Sequence, residues 1–294
     1  MLHLRAPAKL NLYLRVLGKR PDGYHEIETL FERIDLADEL TIEAHPDQLL
    51  LTCTDSTLSC GEDNLILKAA RLLRQASGTI QGARLQLIKR IPIAAGLGGG
   101  SSDAAATLLG LNRLWKLGLE PSRLQELGAS LGSDVPFFLA DAPWAIGRGR
   151  GERCEPLPGG LSLAHVLVVP DARLSTREIY ESEGFNLTAQ APSISMMGHA
   201  FSNGSLSELA KGLWNDLEPE AIRRCPAISR IQHQLRAFGC LGTRLSGSGP
   251  AVFGLCRDAA QARAIADALP AKADSSWRIA MVQTDCPSPS PVGE

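Results

Sequence analysis

Along residues 9–16 apolar and polar side chains alternate. Leu10, Leu12, Leu14 and Val16 fall on one face, and Lys9, Asn11, Tyr13 and Arg15 on the other. A period of two is the signature of a β-strand. The turn-forming run Lys19-Arg-Pro-Asp-Gly23 then leads into a second alternating stretch. There Leu30, Ile34 and Leu36 share one face, and Ile27, Thr29, Phe31 and Arg33 share the other. From residue 64 to 74 the spacing becomes helical, with Leu65, Ala69 and Leu72 predicting the apolar stripe. Leu85, Leu87 and Ile91 predict a strand entering a glycine-rich turn, residues 103–114 a helix leaving it, and residues 121–131 a further helix.

The run Pro156-Leu-Pro-Gly-Gly160 is the best candidate for a domain boundary. It divides the chain into residues 1–155, residues 156–285 and a Pro/Ser-rich tail, 286–294, expected to be disordered. Beyond the break, residues 164–169 predict a short apolar strand. Ser175 and Glu178 have the spacing of a capping box, opening a helix that carries Tyr180. Two short strands flank Ser246-Gly-Ser-Gly249, followed by a helix over 258–268 and a strand over 278–284. That order is the one a split βαβ, ferredoxin-like domain requires. The expected fold class is α+β with two domains.

Composition narrows the classes of function. The chain has 294 residues, 44% of them hydrophobic and 21% charged, with a net charge of -2. These values describe a globular protein without the basic footprint of a nucleic-acid binder. No apolar run approaches a membrane span, and Arg5, Lys9, Asn11 and Arg15 interrupt any signal-like segment at the start. Seven cysteines with no Cys-x-x-Cys pair indicate reduced thiols rather than a disulfide framework or zinc site. A cytoplasmic protein, monomeric or weakly dimeric, is expected.

The chemistry concentrates in Pro92-Ile-Ala-Ala-Gly-Leu-Gly-Gly-Gly-Ser-Ser-Asp-Ala-Ala-Ala106. Glycines let a ligand approach the main chain, and the helix that follows offers unpaired N–H groups and a positive dipole end to a phosphate. No Gly-Lys-Ser/Thr closes the run as in a P-loop, and Ser101 stands where a dinucleotide fingerprint needs its third glycine. Asp134 has two readings: a carboxylate serving the start of the helix that Pro136 opens, or a general base. Lys9 likewise is either a solvated strand lysine or the cation beside that base.

The glycine-rich run resembles the phosphate-binding motif of the GHMP kinases, small-molecule kinases named for galactose, homoserine, mevalonate and phosphomevalonate. Further similarities follow in the expected order: Ala6-Pro-Ala-Lys-Leu-Asn-Leu12, Arg20-Pro-Asp-Gly-Tyr-His-Glu26, Leu131-Gly-Ser-Asp-Val-Pro-Phe-Phe-Leu139 and Arg244-Leu-Ser-Gly-Ser-Gly-Pro250. Together they resemble the branch of the family whose acceptor carries a cytidine diphosphate. The resemblance implies a ribosomal-S5-domain-2-like first domain, a ferredoxin-like second domain and a cleft between them. It implies transfer of the γ-phosphoryl group of ATP to the 2-hydroxyl of a cytidine diphosphate-linked methylerythritol, giving ADP, in non-mevalonate isoprenoid precursor synthesis.

Residue by residue, the resemblance makes Asp134 the catalytic aspartate and Lys9 its partner. Pro92, Ala94, Ala95, Gly96, Leu97, Gly98, Gly99, Gly100, Ser101 and Ser102 would take the nucleotide phosphates, with Asn64 also near ATP. Magnesium is implied, reached by Ser101 or Ser102. Asn11, Tyr24, His25, Gly247 and Ser248 would contact the acceptor, and Phe31 with Tyr180 would enclose its pyrimidine. Ala94 departs from the family pattern, standing where glycine is common. The arginine-rich Trp144-Ala-Ile-Gly-Arg-Gly-Arg-Gly-Glu152 has two readings, a place near a phosphate of either ligand or a solvated turn, and the second is favoured. Rival readings are another GHMP kinase activity, a catalytically silent metabolite sensor, and an RNA-binding protein. The Tyr24-His25 turn with the Phe31/Tyr180 pair, the Lys9/Asp134 pair and the absence of a basic stripe argue against them in that order.

Overall fold

The structure, a computed structural model, describes residues 1–140, 142–157, 161–182, 191–269 and 274–286. The first half runs β1 (Leu2–Lys19), β2 (His25–His45), β3 (Leu49–Cys53), α1 (Leu65–Ser77), β4 (Gly82–Ile88) and α2 (Gly99–Leu114). It continues through α3 (Pro121–Leu131), α4 (Val135–Leu139), β5 (Trp144–Gly149) and β6 (Arg153–Pro156). The second half begins β7 (Ala164–Val169), α5 (Thr176–Tyr180), α6 (Ile194–Ser202), α7 (Leu206–Gly212) and β8 (Trp214–Asn215). It ends α8 (Glu218–Arg224), α9 (Ala227–Ala237), β9 (Gly242–Leu245), β10 (Val252–Cys256), α10 (Ala259–Ala268) and β11 (Arg278–Gln283).

Two sheets result. In the first, the order is β3-β4-β2-β1-β8, with β5 added to β2 and β6 to β5. The second is antiparallel with order β11-β7-β10-β9, the ferredoxin-like arrangement that the element order predicts. Helices α1 to α4 cover one face of the first sheet, where Leu40, Ile42, Leu85 and Leu87 meet Leu73, Ala104 and Leu108. On the other face Leu10, Leu12, Leu30 and Ile34 pack against Leu167, Phe253 and Leu255 of the second sheet. Each such fully buried side chain contributes about 1.5–3 kcal/mol, so the two sheets share a continuous core.

That packing alters several expectations. The alternation of β1 breaks at a β-bulge: Asn11 pairs with Phe31 but Tyr13 with Leu30, leaving Leu12 unmatched. An extra residue reverses the facing of everything beyond it. Tyr13 therefore joins Leu10 and Leu12, its hydroxyl donating to Pro192 O at 2.7 Å. Leu14 and Val16 turn to the face that Lys9 and Asn11 occupy, and Leu14 lines the cleft with them. In α1 the stripe is rotated. Ile66, Leu67, Ala69, Ala70 and Leu73 are buried, whereas Leu65 and Leu72 lie at the margin.

Elements beyond the break near residue 156 also reach the first sheet. β8, from the second half, pairs in parallel with Tyr13 and Leu14 of β1, and Thr284 bridges to Ile34. Residues 158–160 of the break and 287–294 of the tail lie outside the described residues.

Candidate active site

Helix α2 begins at Gly99, four residues before the sequence places it, so the glycine-rich run is itself the helix start. Gly98 is the N-cap at φ 70° with no side-chain cap, and the first turn closes with Ser102 N donating to Gly98 O at 2.9 Å. The preceding N–H groups therefore have no partner within the helix and face an incoming anion. Backbone bonds hold the run in place: Lys9 N donates to Leu97 O at 3.0 Å, and Ala251 N to Ala95 O at 3.1 Å. Ser246 Oγ donates to Gly96 O at 3.0 Å.

Lys9 reaches into the same space from β1. It is only 3% exposed, so its ammonium requires partners inside the protein. They are Asn11 Oδ1 and Asp134 Oδ2, the latter 3.5 Å away. Asp134 occupies the N-cap position of α4 but makes no side-chain capping bond. Its carboxylate is instead turned to Lys9, and of the two readings open in the sequence the geometry supports the pairing.

These groups line one cleft of about 1540 Å³, beyond the roughly 300–1,000 Å³ of a site for one small ligand. All the expected site residues line it except Ser102. Because the helix starts early, Ser102 turns into the core and is 0% exposed, while Ser101 remains on the wall. Asn64 lines the cleft but is committed to α1. Its Oδ1 accepts from Ile66 N at 2.9 Å and its Nδ2 donates to Ser59 O at 2.6 Å.

At the opposite end His25 and Tyr180 stand with ring centroids 5.3 Å apart. Burial, followed by the charge of Lys19, holds the imidazole below its ordinary value, so at neutral pH it offers one donor and one acceptor. The Tyr180 phenol is pushed well up by burial and by the Asp134 and Asp216 carboxylates. Phe31 departs from its expected part in a clamp. It is fully buried and its ring is stacked on Phe137 at 4.8 Å, so its face is already occupied by the protein. Tyr24, more than half exposed, is the other aromatic on this wall.

The arginine-rich segment is not a solvated turn throughout. Residues 144–149 form β5, and Arg148 and Arg153 pair at the surface with Glu28, Glu155 and Glu26. Arg150 lines the cleft with its guanidinium 4.7 Å from the centre of the Tyr24 ring.

Sequence reasoning also missed a buried charge cluster under the glycine-rich turn. Lys89 Nζ lies 2.5 Å from Asp38 Oδ2 and 2.7 Å from Asp103 Oδ2. Asp38 Oδ1 in turn accepts from Arg90 N and Ile91 N. Burial pushes Asp103 up to about 7 against the pull of Lys89. Burial works to lower Lys89, but Asp103 and Asp38 outweigh it and raise the ammonium. The available signal was a carboxylate standing before the alanines of an otherwise apolar helix start.

Ala94 has φ 54°, a left-handed conformation that costs a Cβ-bearing residue roughly 1–2 kcal/mol. The backbone here suits the glycine that the family pattern favours. Replacing Ala94 by Gly removes that strain at some cost in chain entropy. A net stabilisation of about 0.5–1 kcal/mol is expected, read as a higher midpoint of thermal unfolding; a lower midpoint would refute the strain.

A helix start with unpaired N–H groups, beside a lysine–aspartate pair in one cleft, is the kind of site that a small-molecule phosphotransferase uses. Comparisons with known proteins agree. The family described as GHMP kinases N terminal domain matches residues 64–141, and GHMP kinases C terminal matches residues 198–275. The 4-diphosphocytidyl-2-C-methyl-D-erythritol kinase of Pelotomaculum thermopropionicum is 44% identical over 89% of this chain and 91% of its own length. That of Salinibacter ruber is 45% identical over 90% and 93%. A crystal structure of 4-(cytidine 5'-diphospho)-2C-methyl-D-erythritol kinase superposes with a TM-score of 0.80 at 37% identity, covering 96% of this chain and 99% of the other. The mevalonate kinase of L. major shares the fold, with a TM-score of 0.75 at 18% identity over 97% and 96% of the two chains. The chain belongs to the 4-diphosphocytidyl-2-C-methyl-D-erythritol kinase family of GHMP kinases.

Proposed function

We propose that the protein transfers the γ-phosphoryl group of ATP to the 2-hydroxyl of 4-diphosphocytidyl-2-C-methyl-D-erythritol, releasing ADP, as a step in isoprenoid precursor synthesis. The observation that carries the reading is Lys9 and Asp134, 3.5 Å apart, with the Lys9 stem packed against the uncapped start of α2. Phosphoryl transfer needs a positioned triphosphate, offset charge and an aimed hydroxyl. The start of α2 receives the phosphates. Asp134 takes the proton of the attacking hydroxyl, and Lys9 steadies the charge that develops beside it. The names of the relatives support this acceptor. So does the half-buried His25–Tyr180 end of the cleft, where a cytosine gains about 1–3 kcal/mol by stacking on an aromatic face and the neutral imidazole reads its edge.

Magnesium accompanies the nucleotide in this reading and, when bound, offsets phosphate charge. The Ser101 hydroxyl is the oxygen donor that α2 offers on the wall, while Asp103 Oδ1, which has no hydrogen-bond partner among the described residues, is buried. All seven cysteines are free, which supports action in the reducing cytoplasm. Among the described residues no helix is long and apolar enough to cross a membrane.

The test is ATP consumption by the purified protein with magnesium, comparing this acceptor with mevalonate and homoserine. Turnover with the cytidine-linked acceptor alone is expected. Turnover with another acceptor would move the protein elsewhere among the GHMP kinases, and ATP binding without turnover would make it a sensor.

A further inference from the structure

We propose that Asn215 is a positioning residue for phosphoryl transfer, holding the turn 246–249 against the glycine-rich run and Lys9; this rests on the reading of the cleft given above. Asn215 lies in β8, the two-residue strand that joins the second half of the chain to β1. The segment is anchored there on both sides. Asp216 N donates to Leu14 O at 3.0 Å, and Asp216 Oδ2 accepts from Val16 N at 2.7 Å. Trp214 Nε1 donates to Asp216 Oδ1 at 2.6 Å. β8 is thereby fixed to the strand that carries Lys9 and Asn11.

From that anchored position the Asn215 side chain, 5% exposed, makes three hydrogen bonds. Oδ1 accepts from Leu217 N at 2.9 Å. Nδ2 donates to Leu245 O at 2.9 Å and to Gly247 O at 2.8 Å. Those two carbonyls flank Ser246, so one amide grips the turn on either side of the residue that bonds the glycine-rich run and β1. Ser246 Oγ donates to Gly96 O at 3.0 Å and accepts from Asn11 N at 3.4 Å. The fit is close. A Cβ built on Gly247 would stand 3.1 Å from Lys9 Nζ and 3.2 Å from Asn11 Oδ1, and one on Gly96 only 2.1 Å from Ser246 O.

The position of the turn thus depends on an amide that itself touches neither ligand space nor Lys9. Without it, two buried carbonyls lose their donor and the turn relaxes away from the run that receives phosphate. A displacement of about 1 Å in such a support is enough to cost roughly 10²-fold in rate.

The experiment compares Asn215→Ala, Ser246→Ala and the double variant of the full chain, well below their unfolding midpoints. It measures ATP affinity by calorimetry and kcat with 4-diphosphocytidyl-2-C-methyl-D-erythritol. Each single change is expected to weaken ATP binding about tenfold and lower kcat about a hundredfold. The double variant should be no worse than the weaker single one, because both act through one contact. A lowered unfolding midpoint with ATP affinity and kcat within about twofold of wild type would overturn the proposal, as would losses that multiply in the double variant. Should Asn215→Ala not fold, Asn215→Ser retains one donor and should fall between wild type and Ser246→Ala; a wild-type profile would refute it. If the wild-type protein does not phosphorylate this acceptor, the functional reading fails, while the ATP affinities still decide the role of Asn215.

Discussion

Asp134→Asn is expected to lower kcat by about 10³-fold, within the 10²–10⁴ range of positioned general bases, while ATP affinity stays close to wild type. The substitution keeps the shape of the side chain and an oxygen that can still accept from Lys9, 3.5 Å away. What it removes is the capacity to take a proton. The fold should tolerate the change, because Asp134 makes no capping bond to α4 and its side chain is 29% exposed. Lys9 retains Asn11 as a partner. Rate, ATP affinity and unfolding midpoint should therefore separate cleanly, with only the first collapsing. A loss below about tenfold would mean that the hydroxyl proton leaves by another route and that the carboxylate only orients Lys9. Loss of ATP binding in step with rate would place Asp134 in the nucleotide site instead.

Much of this arrangement was legible in the chain because it is local. The glycine-rich run, the helix at 121–131 and the Ser175 cap each follow from residues a few positions apart, and α3 and α5 begin where those signals stand. The order of elements after residue 164 similarly yields the second sheet. What escaped depends on pairing across distance. A bulge at Leu12 cannot be seen in an alternating pattern, yet it turns Tyr13 out of the face that holds Lys9. Phe31 reads as an aromatic free for a ligand until Phe137, more than a hundred residues later, is found stacked on it. Arg150 sits in a segment whose other arginine, Arg148, pairs with glutamates at the surface, and its place on the cleft wall beside Tyr24 comes from pairing across distance. The Asp38–Lys89–Asp103 cluster draws on β2, the residue after β4 and α2, and only Asp103 stands in a recognisable run.

Gly96→Ala should be the most damaging small substitution at the site, for reasons that a second glycine isolates. Gly96 has φ 80°, so any Cβ there meets the left-handed penalty of roughly 1–2 kcal/mol. Its Cβ would also stand 2.1 Å from Ser246 O and 2.9 Å from Gly249 N, both main-chain atoms that cannot rotate away. Relief requires the glycine-rich run and the turn 246–249 to part. That movement strains the bonds from Ser246 Oγ to Gly96 O and from Ala251 N to Ala95 O. Leaving such buried groups unpaired costs about 1–3 kcal/mol each, so the total exceeds the backbone term alone. The expected result is a destabilisation of about 3–5 kcal/mol together with a kcat at least 10²-fold lower. Gly78, the C-cap of α1, provides the comparison. Its φ is 70°, but a Cβ there would meet nothing within 4 Å. Gly78→Ala should therefore show only the backbone cost of about 1–2 kcal/mol and a wild-type kcat. Equal midpoints and equal rates for the two variants would mean that the run and the turn are not held in contact, and that the brace between the two halves of the site does not exist.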